Sequence, residues 1–315
     1  MGGPLALLCR SDATETDREK GEVATVVERY VVGVDGSRPG VAALRWAIDR
    51  VRRDPAPVVL VHVDEDEAGV MGHDYHEEQS RHGAQLLAEA MVQVVEAAPT
   101  VPVSVALLNG GVPWAIASFV HSDDLLVIGT GKTGFLHGRV LGSRSVQIAV
   151  AAACTVAVIP EVDLRFRRGV VAGIDRHATA ASIVDLGARE ACARQEELFL
   201  VQSSPTPETR QSASERAVLA VSFATELVRA DYPALVVRSR VTARPPAEAL
   251  LDSSRDKALL VLGPGSLDPF RSPIGSVLHD VLLNVNAPVL IARPRAGQQI
   301  VGPVPSVEAP AGGLR

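Results

Sequence analysis

Residues 125–145 read Leu-Leu-Val-Ile-Gly-Thr-Gly-Lys-Thr-Gly-Phe-Leu-His-Gly-Arg-Val-Leu-Gly-Ser-Arg-Ser. Leu125–Ile128 is a short apolar run, the next stretch is a glycine-rich loop, and Ser143 begins a helical pattern running to about Ala152. A strand feeding a helix through such a loop exposes backbone N–H groups beside a helix N-terminus, and both favour a bound phosphate. The stretch therefore points to a nucleotide site on an α/β scaffold.

Working outward, the same alternation continues on both sides. Tyr30–Val34 reads as a strand, and Asp35-Gly-Ser-Arg-Pro-Gly40 is a turn with helix-start chemistry. Val41–Val51 has helical spacing, Val58–Val63 is a second strand, and residues 64–75 read as an acidic loop before a long helix at Glu77–Ala97. Pro102–Leu108 is a third strand, Pro113–Val120 a short helix with proline in its first turn, and Thr155–Ile159 a fifth strand closed by Pro160. Strands alternating with helices imply right-handed crossovers and a parallel sheet covered on both faces. Fully apolar strands fit that arrangement, because such strands are buried on both sides.

The second half repeats the series. Val170–Ile174 leads to Asp175 as Tyr30–Val34 leads to Asp35, and Leu198–Val201 matches Val58–Val63. Ala234–Val237 is the next expected strand, followed by a short helix from Arg244, the run Leu259–Leu262 into Gly263, a helix opened by Gly275-Ser276, and a closing strand at Pro288–Ala292. A repeat of this length is a duplicated domain, not a solenoid unit. The expected organisation is a mobile tail over residues 1–27, a first domain over 28–160, a linker over 161–168, a second domain over 169–295 and a second tail over 296–315.

Composition bounds the function. The chain has 315 residues, enough for about two domains. Aromatics are only 3% and the net charge is −6, which argues against a general nucleic-acid binder with a basic stripe. No apolar run approaches the roughly 18 residues that a membrane helix needs. Cys9, Cys154 and Cys192 form no C-x-x-C pair, so a reduced, cytoplasmic setting is the expectation.

Taken together, these residues resemble the universal stress protein family in its tandem two-domain form. That family carries a Gly, two residues, a second Gly, nine residues, then Gly-Ser or Gly-Thr. Gly129 and Gly142-Ser143 keep the separation, while Lys132 stands at the second glycine with Gly131 beside it. Asp35 with Ser37, the strand end Val61-His62-Val63, and Gly111-Val-Pro113 fit as well. The resemblance implies two tandem doubly wound five-stranded parallel-sheet domains of the adenine-nucleotide α-hydrolase-like kind. It implies ATP as ligand, with or without magnesium, held by Gly33, Val34 and Asp35, then Val63, then Ile128 and Gly129, and finally Gly142, Ser143, Arg144 and Ser145. It also implies a nucleotide-linked regulator of stress or dormancy responses with an unknown protein partner. Pairing between the halves, or a homodimer through an edge strand such as Thr155–Ile159, is part of the same expectation.

The residues also stand without that name. Gly131, Lys132, Arg139 and Arg144 add backbone access and positive charge where phosphate would sit, and nucleotide binding is the favoured reading over a plain glycine-rich connection with a capped helix. A true P-loop would need glycine at position 126, which is Leu126. Asp35 fits ribose or base recognition at the carboxyl edge of the sheet, or simple helix capping. His62 reads as a packed residue rather than a catalyst. His73, His76 and His82 read as a solvated stretch before they read as a metal site. In the second half Pro264, Pro269 and Pro273 remove N–H donors, Asp268 brings negative charge, and Leu278 replaces Ser145, so that site is expected to be degenerate. No catalytic constellation stands out, and a dedicated enzyme is not expected. The rival readings are a slow nucleotide hydrolase or adenylyl-transferring enzyme, and a scaffold that has lost nucleotide binding.

Overall fold

The structure, a computed structural model, describes residues 27–65, 73–131, 144–174, 180–204, 211–265 and 275–293. The first half runs β1 (Tyr30–Gly33), α1 (Arg38–Val51), β2 (Val58–Asp64), α2 (His73–Ala97), β3 (Val103–Asn109), α3 (Val112–Phe119), β4 (Leu125–Thr130), α4 (Arg144–Ala151) and β5 (Thr155–Pro160). The second half repeats the order with β6 (Val170–Gly173), α5 (Ala180–Arg194), β7 (Leu198–Ser203), α6 (Gln211–Asp231), β8 (Val237–Thr242), α7 (Pro246–Ser254), β9 (Leu259–Leu262), α8 (Ser276–Leu283) and β10 (Val289–Ile291).

The strands form one ten-stranded sheet in the order β3-β2-β1-β4-β5-β10-β9-β6-β7-β8. Within each half every pairing is parallel, and the halves join where β5 meets β10 in antiparallel fashion. The two five-stranded sheets are thus continuous. Val156 pairs with Ile291, Ala157 with Leu290 and Val158 with Val289. Ala157 and Leu290 occupy corresponding places in their halves, so a local twofold axis passes between them.

Alternation along the strands sorts the core into two layers. Tyr30, Val32 and Leu60 face α1 and α2, while Val31, Val59 and Val61 face α3 and α4. The second half places α5 and α6 on the first side and α7 and α8 on the other. Helix α1 starts where Ser37, in extended conformation, accepts the Gly40 N–H at 3.1 Å, and Pro39 fills the first turn. Its buried face carries Ala43, Leu44, Trp46, Ala47 and Val51.

The structure corrects three expectations. The strand expected at Ala234–Val237 lies at Val237–Thr242. Residues 234–236 form a turn that buries Leu235, whereas the strand itself is the outer one, where Arg238 reaches solvent and pairs with Glu197 at 2.8 Å. An edge strand tolerates charge, which also guards it against pairing with other chains. Second, β2 extends to Asp64, and α2 begins at His73 rather than Glu77. Third, Asp64 is buried rather than part of a solvated loop.

Both expected tails lie outside the described residues except Val27, which packs on the core. The joint at 161–168 is anchored: Leu164 packs on the core and the Arg167 guanidinium donates to the Asn286 carbonyl at 2.5 Å. Arg293 crosses the joint in the other direction, donating to the Ala149 and Val150 carbonyls at the end of α4. Cys154 and Cys192 are buried and form no disulfide among the described residues, and burial pushes Cys154 up to about 11. No helix among the described residues is long and apolar enough to cross a membrane.

Candidate functional site

Strand order reverses between β1 and β4, whose crossovers leave on opposite faces of the sheet. Such a reversal opens a crevice at the carboxyl edge. A cavity of about 470 Å³ lies there, within the usual range for small-molecule sites. Its walls come from the ends of three strands: Gly33, Val34 and Asp35 after β1; Val61, His62 and Val63 on β2; Ile128 and Gly129 on β4. Ile116, Leu86, His82, Glu65, Arg144 and Ser145 complete it.

The two glycines at the floor serve different purposes. Gly33 is the last residue of β1, and a Cβ there would meet only Ile128 Cγ2 at 3.4 Å and Val127 O at 3.8 Å. Its bareness keeps the cavity open rather than relieving a clash. At Gly129 a Cβ would overlap the Pro39 carbonyl, so this glycine lets the first turn of α1 cross the end of β4. Gly40 plays a related part, because a Cβ there would strike the Asp35 carboxylate.

Asp35 braces the start of α1 and also lines the cavity. Its Oδ1 accepts the Ser37 N–H at 3.0 Å and the Ser37 hydroxyl at 2.7 Å, bracing the cap of α1. The residue also lines the cavity, and its Oδ2 has no partner among the described residues. His62 is packed: its Nδ1 lies 2.6 Å from the Val34 carbonyl, an acceptor, so Nδ1 carries the proton. Its Nε2 sits 3.6 Å from Asp64 Oδ1, while Asp64 Oδ2 accepts the Ser80 hydroxyl at 2.7 Å. Gly83 of α2 makes room for this pair, since a Cβ there would strike the His62 ring.

Asp64 went unnoticed in the sequence because it opens an acidic run. The usable signal was the period of two: Val58, Leu60, His62 and Asp64 share one face of β2. A glycine in the middle of α2 marked the place where that face needed space.

Of the expected binding residues, the structure brings together Gly33, Val34, Asp35, Val63, Ile128, Gly129, Arg144 and Ser145. Gly131 is exposed and does not line the cavity. Lys132, Arg139, Gly142 and Ser143 lie outside the described residues, as do the side chains of His73 and His76. Ser145 is buried with its hydroxyl 2.9 Å from that of Thr130. Arg144 already has a counter-ion, donating to Glu65 at 2.7 Å across the mouth. Glu65 therefore competes with any anion for this guanidinium. Glu65→Gln is expected to tighten binding of a phosphorylated ligand by about 2–5-fold, the worth of an exposed ion pair, as measured by titration at low salt.

The corresponding place in the second half is narrower. A Cβ at Gly173, the counterpart of Gly33, would come within 2.5 Å of a Leu262 methyl and 2.9 Å of a Leu250 methyl, so these side chains reach over the place that is open above Gly33. Gln202 stands where His62 stands in the first half, and Leu278 is buried.

Residues 27–160, which span the cavity and all nine elements of the first half, match the Universal stress protein family. Over a longer stretch, a universal stress protein of Mycolicibacterium smegmatis is 27% identical across 289 residues, covering 84% of this chain and 97% of that one. Residues 27–160 carry a universal stress protein domain. A universal stress protein of Mycobacterium tuberculosis is 26% identical and covers 84% of this chain and 95% of its own. Among solved structures, a universal stress protein from Archaeoglobus fulgidus superposes with a TM-score of 0.68 at 17% identity, over 87% of this chain and 99% of that one. That likeness shows the shared fold of the full tandem. Universal stress protein chains of similar length thus align with both halves, not with the first alone.

Proposed function

We propose that the first half of this protein binds one adenine nucleotide, ATP, and that the chain acts as a nucleotide-linked regulator rather than a dedicated enzyme. The observation that carries the reading is the cavity at the strand-order reversal, whose composition divides as a nucleotide does. Val61, Val63, Ile116 and Ile128 offer an apolar slot over the bare Gly33, suited to a flat base. Asp35 offers to ribose hydroxyls its Oδ2, which has no partner among the described residues. Arg144 and the N-terminal end of α4 supply positive potential for phosphate. Gly142, Ser143, Lys132 and Arg139, which fall between β4 and α4 in the sequence, are proposed as further phosphate-binding residues.

The narrower space over Gly173 supports a single site per chain. One observation favours the rival scaffold reading: Arg144 and Ser145 already have protein partners. Titration calorimetry of the full chain with ATP, with and without magnesium, separates the two. One site is expected, lost in Gly142→Asp, where a carboxylate would oppose phosphate. Unchanged affinity in a folded Gly142→Asp chain would refute the assignment, and absence of binding by the natural chain would leave the scaffold.

A further inference from the structure

The two halves meet through corresponding faces, yet their charges at that meeting are opposite. Tyr30 and Val170 hold corresponding places at the starts of β1 and β6, 140 positions apart. Arg50 of α1 and Glu190 of α5 are separated by the same 140 positions, so they too correspond, and they form an ion pair with each other across the axis. One turn further on the inversion recurs. Arg50 lies 3.9 Å from Asp54 of its own half, and Glu190 lies 3.7 Å from Arg194 of its own. The first half therefore presents Arg then Asp, and the second presents Glu then Arg, at matching positions.

Three of these four groups are buried, and Asp54 stands half-exposed beside them. The side chains of Arg50, Glu190 and Arg194 are 9%, 4% and 9% exposed. Arg50 also lies over the rings of Tyr30 and Trp46, at 5.9 and 5.8 Å. A buried ion pair is a weak stabiliser compared with apolar packing, but it discriminates strongly between partners. The β5–β10 register is symmetric about Ala157 and Leu290, so the backbone alone would accept two first halves or two second halves equally well. Two first halves would set Arg50 against Arg50 in the interior, and two second halves Glu190 against Glu190. Like charges held together out of water strongly disfavour a pairing.

We infer that the inverted quartet Arg50, Asp54, Glu190 and Arg194 selects the pairing of unlike halves: the β5/α1 face of the first half accepts the β10/α5 face of the second half of its own chain and rejects another first half. The joint at 161–168, held at Leu164 and Arg167, keeps that partner next to it. The consequence is a sheet built from one half of each kind, with one first-half cavity, rather than a symmetric pair of identical halves.

The test uses the full chain and two charge exchanges. Glu190→Arg with Arg194→Asp gives the second half the signs of the first; Arg50→Glu with Asp54→Arg gives the first half the signs of the second. Either exchange alone is expected to lower the melting temperature by on the order of 5–10 °C and to shift the chain towards larger assemblies. Made together in one chain, they rebuild the quartet in reverse. Adding the second exchange to a chain that carries the first is then expected to raise the melting temperature, whereas the same exchange lowers it in the natural chain. That change of sign is specific to charge complementarity, and loss of the ring contacts of Arg50 is common to both chains that carry its exchange. Two exchanges whose effects simply add, or either alone melting like the natural chain, would overturn the inference.

Discussion

Gly33→Leu is expected to remove the proposed ATP binding while leaving the fold intact. Position 33 ends β1 with its missing side chain directed at the cavity, and the backbone there does not require glycine. A Cβ meets Ile128 Cγ2 at ordinary contact distance, so the larger side chain grows into the empty slot rather than into packed core. Because the slot is where an adenine ring would lie, the expected loss is about 100-fold or more in affinity, equivalent to about 2.7 kcal/mol. Calorimetric titration measures it, and an unchanged melting temperature shows that the protein remains folded. Gly129→Leu makes a useful contrast. There the side chain strikes the first turn of α1, and the melting temperature falls together with binding.

Arg50→Met is expected to cost about 3–5 kcal/mol at neutral pH, since it takes the hydrogen-bonded counter-ion from the buried Glu190 carboxylate and leaves it only the longer-range charges of Arg194 and Arg53. The pH dependence gives this prediction its sign. Burial works to raise the Glu190 pKa, but Arg50 and Arg194 outweigh it and hold the carboxyl below its ordinary value. A depressed carboxyl contributes stability above its unfolded pKa, about 4.3, and that contribution is lost as the pH falls through the folded value. Without Arg50 the folded pKa rises, and protonation then relieves the buried charge instead of breaking a pair. The stability gap between the natural chain and Arg50→Met therefore narrows as the pH drops below about 5. Urea titrations at pH 7 and at mildly acid pH measure it; a gap that is constant across that range would show that Arg50 acts only through packing on Tyr30 and Trp46.

Much of the fold was legible because parallel strands are buried on both faces. Leu125–Ile128, Val170–Ile174 and Leu259–Leu262 are uninterrupted apolar runs, and each became a central strand. The outer strand β8 carried no such run. Its Arg238 and Arg240 are placed by an open sheet edge, a tertiary circumstance that local sequence does not report. The site was legible to the extent that it uses strand ends: Gly33, Val34, Asp35, Val63, Ile128 and Gly129 converge because the topology brings β1, β2 and β4 together.

What the sequence hid were pairings. Glu65 sits 79 residues from Arg144 and nothing local joins them, yet they meet across the mouth. Nothing local in the sequence joins Arg50 to Glu190; their pairing follows only when the repeat is laid over itself and the two halves share an axis. Asp64 read as loop because its neighbours are acidic, although its register with Leu60 and His62 already set it on the buried face of β2.

The account rests most directly on one number, the amount of ATP bound per chain at saturation. Equilibrium dialysis with labelled ATP, run on the natural chain and on Gly33→Leu, measures it. One nucleotide per natural chain and none on the variant is the predicted result. No binding by the natural chain, two nucleotides per chain, or a site that survives unchanged in Gly33→Leu would contradict a single nucleotide site in the first half.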